Sequence, residues 1–289
     1  AFAEDGAPSA AQLGERCAQL LADGCDAVAL FGTTGEGPCF SLRQRMETLD
    51  ALLDAGVPAD RLIVSVSAFA PEDVVTLMRH AAVGAVREVL LMPLCFLRGA
   101  ATEEGVYRFY GEAIMRAACP ELRVLLYQYP EISGAALTPA LVARLVEAHG
   151  AAVAGVKDSA GDLDFTLDLV RRFPRLRVYT GTAVHTPAVL AAGGAGTLCG
   201  LATVVPKLLR AMIDAPDEGT RRSLLAHVRE LDALLAPSYV ARCKAVVAGL
   251  TGEPRWRRTV PPVLPLDDAA QAELLQRFSE RLWTAMHAG

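Results

Sequence analysis

Residues 178–206 read VYTGTAVHTPAVLAAGGAGTLCGLATVVP, and this stretch decides between a membrane span and the interior of a folded barrel. It carries no formal charge, and His185 is its one side chain that titrates near neutrality. The run exceeds the roughly 20 apolar residues that a bilayer-crossing helix needs. Yet Gly181, Gly193, Gly194, Gly196, Gly200, Pro187 and Pro206 break it into short pieces, with threonines between them. Two buried strands flanking a short helix are cut in this way, whereas a spanning helix is continuous. We read the stretch as barrel interior and expect no membrane span.

Outward from it, short apolar runs alternate with longer amphipathic ones, the pattern of repeated βα units and a parallel sheet. Strands are predicted at 27–31, 62–66, 88–92, 123–127, 153–157, 177–181 and 196–200. Between them, Ser41 and Gln44 make a capping box, after which Leu42, Met46, Leu49 and Leu53 share one helical face. Thr138 before Pro139 is an N-cap with proline at the first helical position, and Pro71, Thr102 and Asp162 open further helices. A (β/α)8 TIM barrel needs eight strands, so the first is expected upstream of residue 1. A seven-stranded open sheet is the rival. After residue 214 the strand pattern stops, and 217–235, 238–250 and 267–287 read as helices with a VPPVLP connector at 260–265. The expected organisation is a barrel over 1–214 and a C-terminal helical extension over 215–289.

A chain of 289 residues that is 52% hydrophobic and 21% charged can build one large core and is too apolar for disorder. A net charge of -5 gives no footprint for nucleic acid. Cys17, Cys25, Cys39, Cys95, Cys119, Cys199 and Cys243 are odd in number, with no CxxC pair and no metal spacing. Reduced thiols in a cytoplasmic protein are expected. The start, AFAEDGAPS, is acidic and shows no apolar signal core.

Only Lys157, Lys207 and Lys244 among the 28 basic residues are lysines, so a lysine in an apolar setting invites a chemical reason. Lys157 ends a strand in VAGVKDSAG (153–161), at the barrel face where active sites are built. Desolvation there disfavours the ammonium, and a neutral amine can form a Schiff base with a carbonyl. Arginine stays protonated and cannot do so. A strand-end lysine reaching to solvent is the competing explanation. Lys207 and Lys244 fall in helical stretches, where a solvated face is expected. FGTTGEG (31–37) combines glycines that turn tightly with hydroxyls and free amides suited to a small carboxylate or phosphate. In LYQYP (126–130), Tyr127 and Tyr129 share a strand face, so either can point inward as a proton relay.

GTTGEG, LYQYP, GVKDSAGD and GGAGTLCG (193–200), in this order, resemble the dihydrodipicolinate synthase/N-acetylneuraminate lyase family of pyruvate-dependent class I aldolases. The resemblance spans nearly the whole chain. It implies that Lys157 forms an imine with pyruvate or a related 2-keto acid. Thr33 and Thr34 would hold the keto acid's carboxylate, Thr33 also passing a proton to Tyr127 as general acid/base. Gly181 would line the site, and Leu198 would pack against the bound keto acid. It further implies the upstream strand, a homotetramer made of two dimers, and no cofactor.

Three departures narrow the expectation. Family members commonly supply a second tyrosine across a subunit interface, where this chain has PLCFL (93–97), with Cys95 and Phe96. The synthases carry an arginine for the second substrate's carboxylate, where PEISG (130–134) has Ile132. TAVH (182–185) offers little to sugar hydroxyls of the kind that sialic-acid lyases bind. The KDSAGD run (157–162) more closely resembles the 2-keto-3-deoxy sugar-acid aldolases of the family, which implies a lyase of that kind, its acceptor partly apolar to suit Ile132, Ala183 and Val184. A dihydrodipicolinate (4-hydroxy-tetrahydrodipicolinate) synthase and a dehydratase using the same imine stand beside it. Outside that class stand a non-catalytic keto-acid-binding paralogue and a pyridoxal phosphate barrel, the latter lacking a separate phosphate site.

Overall fold

The computed structural model describes residues 2–3, 6–94, 96 and 99–287. Seven parallel strands form one sheet in sequence order: β1 (Val28–Leu30), β2 (Leu62–Ser65), β3 (Glu88–Leu91), β4 (Arg123–Gln128), β5 (Val153–Asp158), β6 (Arg177–Thr180) and β7 (Gly196–Thr197). Helices connect them: α1 (Ala10–Ala22) precedes β1, and α2 (Leu42–Asp54), α3 (Pro71–Val83) and α4 (Glu103–Ala117) follow the first three strands. A single turn, α5 (Pro130–Ser133), leads into α6 (Pro139–His149), and α7 (Leu163–Arg172) and α8 (Thr186–Ala191) complete the βα units. Beyond β7 come α9 (Pro206–Ile213), α10 (Glu218–Leu235), α11 (Tyr239–Thr251) and α12 (Asp268–His287).

The predicted caps form. Gln44 N–H donates to Ser41 Oγ while the Gln44 side chain accepts from the Ser41 amide, and Leu141 N–H donates to Thr138 Oγ1 at 3.1 Å. Alternation within strands sorts the core into two faces. Val64, Val89, Leu91, Val124, Leu126, Val156 and Val178 turn outward into a large cluster with the surrounding helices. Ile63, Leu90, Met92, Leu125 and Tyr127 turn the other way into a smaller interior cluster, with Tyr129, Ile132, Tyr179 and Leu198 packed on it. A third cluster joins α9 to α10, α11 and α12, drawing on residues before and after 214. The segment Glu218–Thr251 is long and apolar enough to cross a bilayer by composition alone, but Pro237 divides it into two helices that pack in this cluster.

The uncharged stretch resolves as the sequence suggested, into β6, the short α8 and β7. All seven predicted strands form. Among the described residues the curled sheet has seven, and β1 and β7 are its two edges.

Candidate active site

Lys157 and Tyr127 are partners in the register of β5 and β4, and Lys157 pairs in turn with Tyr179 of β6. Register partners in adjacent parallel strands project to one face, here the interior. Both side chains are buried, Lys157 at 7% and Tyr127 at 2% exposure. The Lys157 ammonium donates to the Tyr127 phenol oxygen at 3.1 Å and lies 4.1 Å from the centre of its ring. The same phenol is 3.0 Å from Thr33 Oγ1, and Ser159 is a further hydrogen-bond partner. Burial opposes ionisation of Tyr127. The Lys157 charge and the hydrogen bonds from Thr33, Lys157 and Ser159 outweigh it, so the phenol titrates below its ordinary value.

Thr33 owes its position to a tightly folded loop after β1. Phe31 and Glu36 both hold positive φ, at 58° and 54°. Glu36 N–H donates to Thr33 O at 3.0 Å, and Gly37 N–H to Gly32 O at 3.2 Å. A Cβ on Gly37 would lie 1.8 Å from Phe31 O, so glycine is required there. Arg45 of α2, 3% exposed, sits beneath: its guanidinium faces the Phe31 ring at 5.5 Å and donates to Ser67 O at 2.9 Å and to Ser65 O.

Thr33, Thr34, Lys157 and Leu198 line one cavity of about 440 Å³ that runs on between the β1 and β7 edges. A Cβ on Gly200 would sit 2.8 Å from Thr34 Oγ1, and one on Gly181 would sit 1.9 Å from Ser159 Oγ. All six residues expected at the site are thus within one neighbourhood. The larger cleft, about 1150 Å³ between α1 and the C-terminal helices, is lined by none of them.

Other expectations fare differently. Tyr127, not Tyr129, carries the contacts to Lys157 and Thr33; β4 ends at Gln128, and Tyr129 begins the α5 turn with its ring 6.2 Å from that of Tyr127. Ile132 packs on the interior cluster, whereas Ala183 and Val184 join the C-terminal one, so they do not line the candidate site. Phe96 is 86% exposed, and the neighbouring Cys95 and Leu97 lie outside the described residues. Lys207 is exposed beside Asp23, as expected of a helix surface. Lys244 corrects its expectation: it is 8% exposed and ion-paired with Glu36. Ser159 and the Glu36–Lys244 pair were missed, although Ser159 and Glu36 stand inside the quoted motifs and Lys244 is one of three lysines.

A curled parallel sheet with a buried lysine and tyrosine meeting a half-buried threonine at its strand ends is an arrangement that suits a lyase of the class I aldolase type. Comparison with known proteins agrees. The family model described as "Dihydrodipicolinate synthetase family" matches residues 1–280. An "Uncharacterized DapA-like lyase" of Chloroflexus aurantiacus is 31% identical over 267 residues, covering 89% of this chain and 85% of that protein. The structure of dihydrodipicolinate synthase from Agrobacterium tumefaciens superposes with a TM-score of 0.89 at 26% identity, covering 96% of this chain and 95% of that one. The KD(P)GA structure from T. tenax superposes with a TM-score of 0.85 at 25% identity, covering 98% and 96%. The chain belongs to the dihydrodipicolinate synthetase family.

Proposed function

We propose that the protein is a cytoplasmic Schiff-base lyase that cleaves or forms an adduct of pyruvate, or a related 2-keto acid, with an aldehyde. The observation that carries this is the continuous contact from Lys157 Nζ to the Tyr127 phenol to Thr33 Oγ1, at 3.1 Å and 3.0 Å. The Lys157 amine, once deprotonated, attacks the C2 carbonyl. Tyr127 supplies the proton with which the carbinolamine oxygen leaves as water, and an iminium remains. Thr33 and Thr34 hold the carboxylate, Thr33 exchanging a proton with Tyr127. Gly181 leaves room beside Ser159, and Leu198 packs against the keto acid. In the cleavage direction the C3–C4 bond breaks with its electrons entering the enamine. Tyr127 takes the proton of the C4 hydroxyl, and the aldehyde departs. Condensation reverses these steps.

The acceptor is a partly apolar aldehyde, because Ile132 packs beside Tyr127 and Leu198 in the interior cluster. The likeness to the Agrobacterium synthase supports 4-hydroxy-tetrahydrodipicolinate synthesis as the second reading, with Ile132 weighing against it. The unpaired edges of β1 and β7, with a cavity between them, support a (β/α)8 barrel whose remaining strand pairs there. We take the assembly as a homotetramer, with Phe96 near the subunit contact.

Borohydride trapping with pyruvate, followed by intact mass and peptide mapping, tests the reading. One reduced pyruvyl adduct on Lys157 is expected. No adduct from folded protein, while a family enzyme traps alongside, overturns it. Retro-aldol turnover of a 2-keto-3-deoxy acid then separates an enzyme from a keto-acid-binding paralogue.

A further inference from the structure

Lys244 is a buried ammonium that the reaction does not use. On α11 it reaches across to the loop after β1 and pairs with Glu36, the two lying 208 residues apart in sequence. The pair is fully satisfied. Lys244 Nζ also donates to Arg258 O at 2.9 Å and faces the Phe2 ring at 4.4 Å, while Glu36 Oε1 accepts from Val260 N–H at 2.7 Å. Removing such charges from water is costly, and apolar residues of similar size often serve stability as well. The pair therefore invites an explanation in geometry. Glu36 holds a left-handed backbone that is unfavourable for a residue with a Cβ, and its amide closes the turn onto Thr33 O. A force on the Glu36 carboxylate is thus a force on the peptide units that present Thr33 and Thr34. The same helix touches the loop's neighbourhood a second time: the Tyr239 ring packs where a Cβ on Gly200 would be, beside Thr34 Oγ1.

We propose that Lys244 is a positioning residue, holding the 32–37 loop through Glu36 so that Thr33 and Thr34 bind the keto acid's carboxylate. This rests on the keto-acid reading above. The C-terminal helices, on this view, are the outer support of the carboxylate site.

The test is borohydride trapping of Lys157 across a pyruvate titration, in wild type, Lys244→Met, Glu36→Gln and Val246→Ala. Val246 is fully buried on α11 and belongs to the C-terminal cluster, so it controls for general loss of packing. In Lys244→Met and Glu36→Gln the half-saturating pyruvate concentration should rise about tenfold or more, with the fraction trapped at saturation near wild type. Val246→Ala should leave half-saturation within about twofold, whatever its melting temperature. A merely structural role lowers the amount of competent protein and leaves half-saturation unchanged. That result, in folded Lys244→Met and Glu36→Gln, overturns the proposal alone. Should Lys244→Met fail to fold, the near-isosteric Glu36→Gln decides the matter. Wild type that traps no pyruvate overturns the keto-acid reading and this proposal together.

Discussion

Lys157 and Tyr127 stand opposite one another in the register of β5 and β4, and their polar ends meet at 3.1 Å inside the curled sheet. Thirty residues separate them in the chain, the span of one βα unit. The parallel repeat does the bringing together, since strands of successive units lie side by side with their carboxyl ends at one rim. A lysine on one strand and a tyrosine on the next need no long loop to hold them together.

Tyr127→Phe separates the binding of pyruvate from the proton transfers that follow. The change removes only the phenol oxygen, so the ring still packs in the interior cluster. Trapping of pyruvate on Lys157 should reach the wild-type extent but more slowly, because carbinolamine dehydration loses its acid, while retro-aldol turnover falls by about 10²–10⁴-fold, the usual worth of a positioned acid/base. Stopped assays of trapping and turnover on the same preparation check this. A lower extent of trapping that longer incubation and saturating pyruvate do not restore would assign Tyr127 to binding instead.

Ionisation of Tyr127 reports on Lys157. Burial pushes the phenol up, and the Lys157 ammonium with three hydrogen bonds pulls it down further, leaving it below the ordinary value. Tyr110, Tyr129, Tyr179 and Tyr239 are all moved up, burial leading in each. An acid that ionises more readily folded than unfolded adds stability above its unfolded value, near pH ~10, and loses it as pH falls through the folded value. Lys157→Met should move Tyr127 upward, because the ammonium and its hydrogen bond are lost while burial remains. Tyrosinate absorbance in an alkaline titration measures the shift, with Tyr127→Phe identifying the transition. No movement in Lys157→Met would contradict the charge contact.

Lys157 was legible because one lysine at a strand end stands out among arginines, and the strand register delivers it to the interior as alternation requires. The choice between Tyr127 and Tyr129 was not legible. Alternation gives both the same face, and the end of β4 at Gln128 decides between them. Lys244 was read as a surface residue because helical position suggested exposure. In fact α11 buries Cys243, Lys244, Ala245, Val246, Val247 and Ala248 in succession, so no polar stripe marks an outer face. Its partner, Glu36, is set by tertiary contact alone. The eighth strand followed from counting the repeat, and counting cannot say which segment occupies a sheet edge.

Two glycine substitutions should change stability in opposite directions. An alanine methyl at position 37 would overlap the Phe31 carbonyl, at 1.8 Å from its oxygen, and backbone cannot swing aside as a side chain does. Gly37→Ala should cost about 1–3 kcal/mol or more and weaken pyruvate trapping through the displaced Thr33. At Gly14, inside α1, a methyl meets only Leu52 Cδ2 at an ordinary 3.6 Å. Gly14→Ala should therefore be neutral or gain up to about 1 kcal/mol from helix propensity. Urea unfolding of both variants provides the comparison. Similar values for the two would show that the loop yields more easily than its contacts indicate.

Ile132 tests the acceptor. It follows β4 by one turn and packs on the cluster that contains Tyr127, Tyr129, Tyr179 and Leu198, so under the proposed mechanism an aldehyde approaching the enamine would meet an apolar surface there. A carboxylate-bearing aldehyde would lose hydration at that surface without gaining a partner, which is unfavourable. Wild type should therefore condense pyruvate with a neutral, partly apolar aldehyde faster than with a carboxylated one of similar length. Ile132→Arg brings a planar fork of donors to the same place, and charge-assisted pairs with a carboxylate are the stronger kind. The ratio of kcat/KM for carboxylated over neutral aldehyde should rise about tenfold or more, which corresponds to about 1.4 kcal/mol of differential transition-state binding. Measuring a ratio within one variant removes any general loss from placing a charge in the cluster. A wild type that already prefers the carboxylated aldehyde would move the assignment to the synthase and place the carboxylate's partner on a residue other than Ile132.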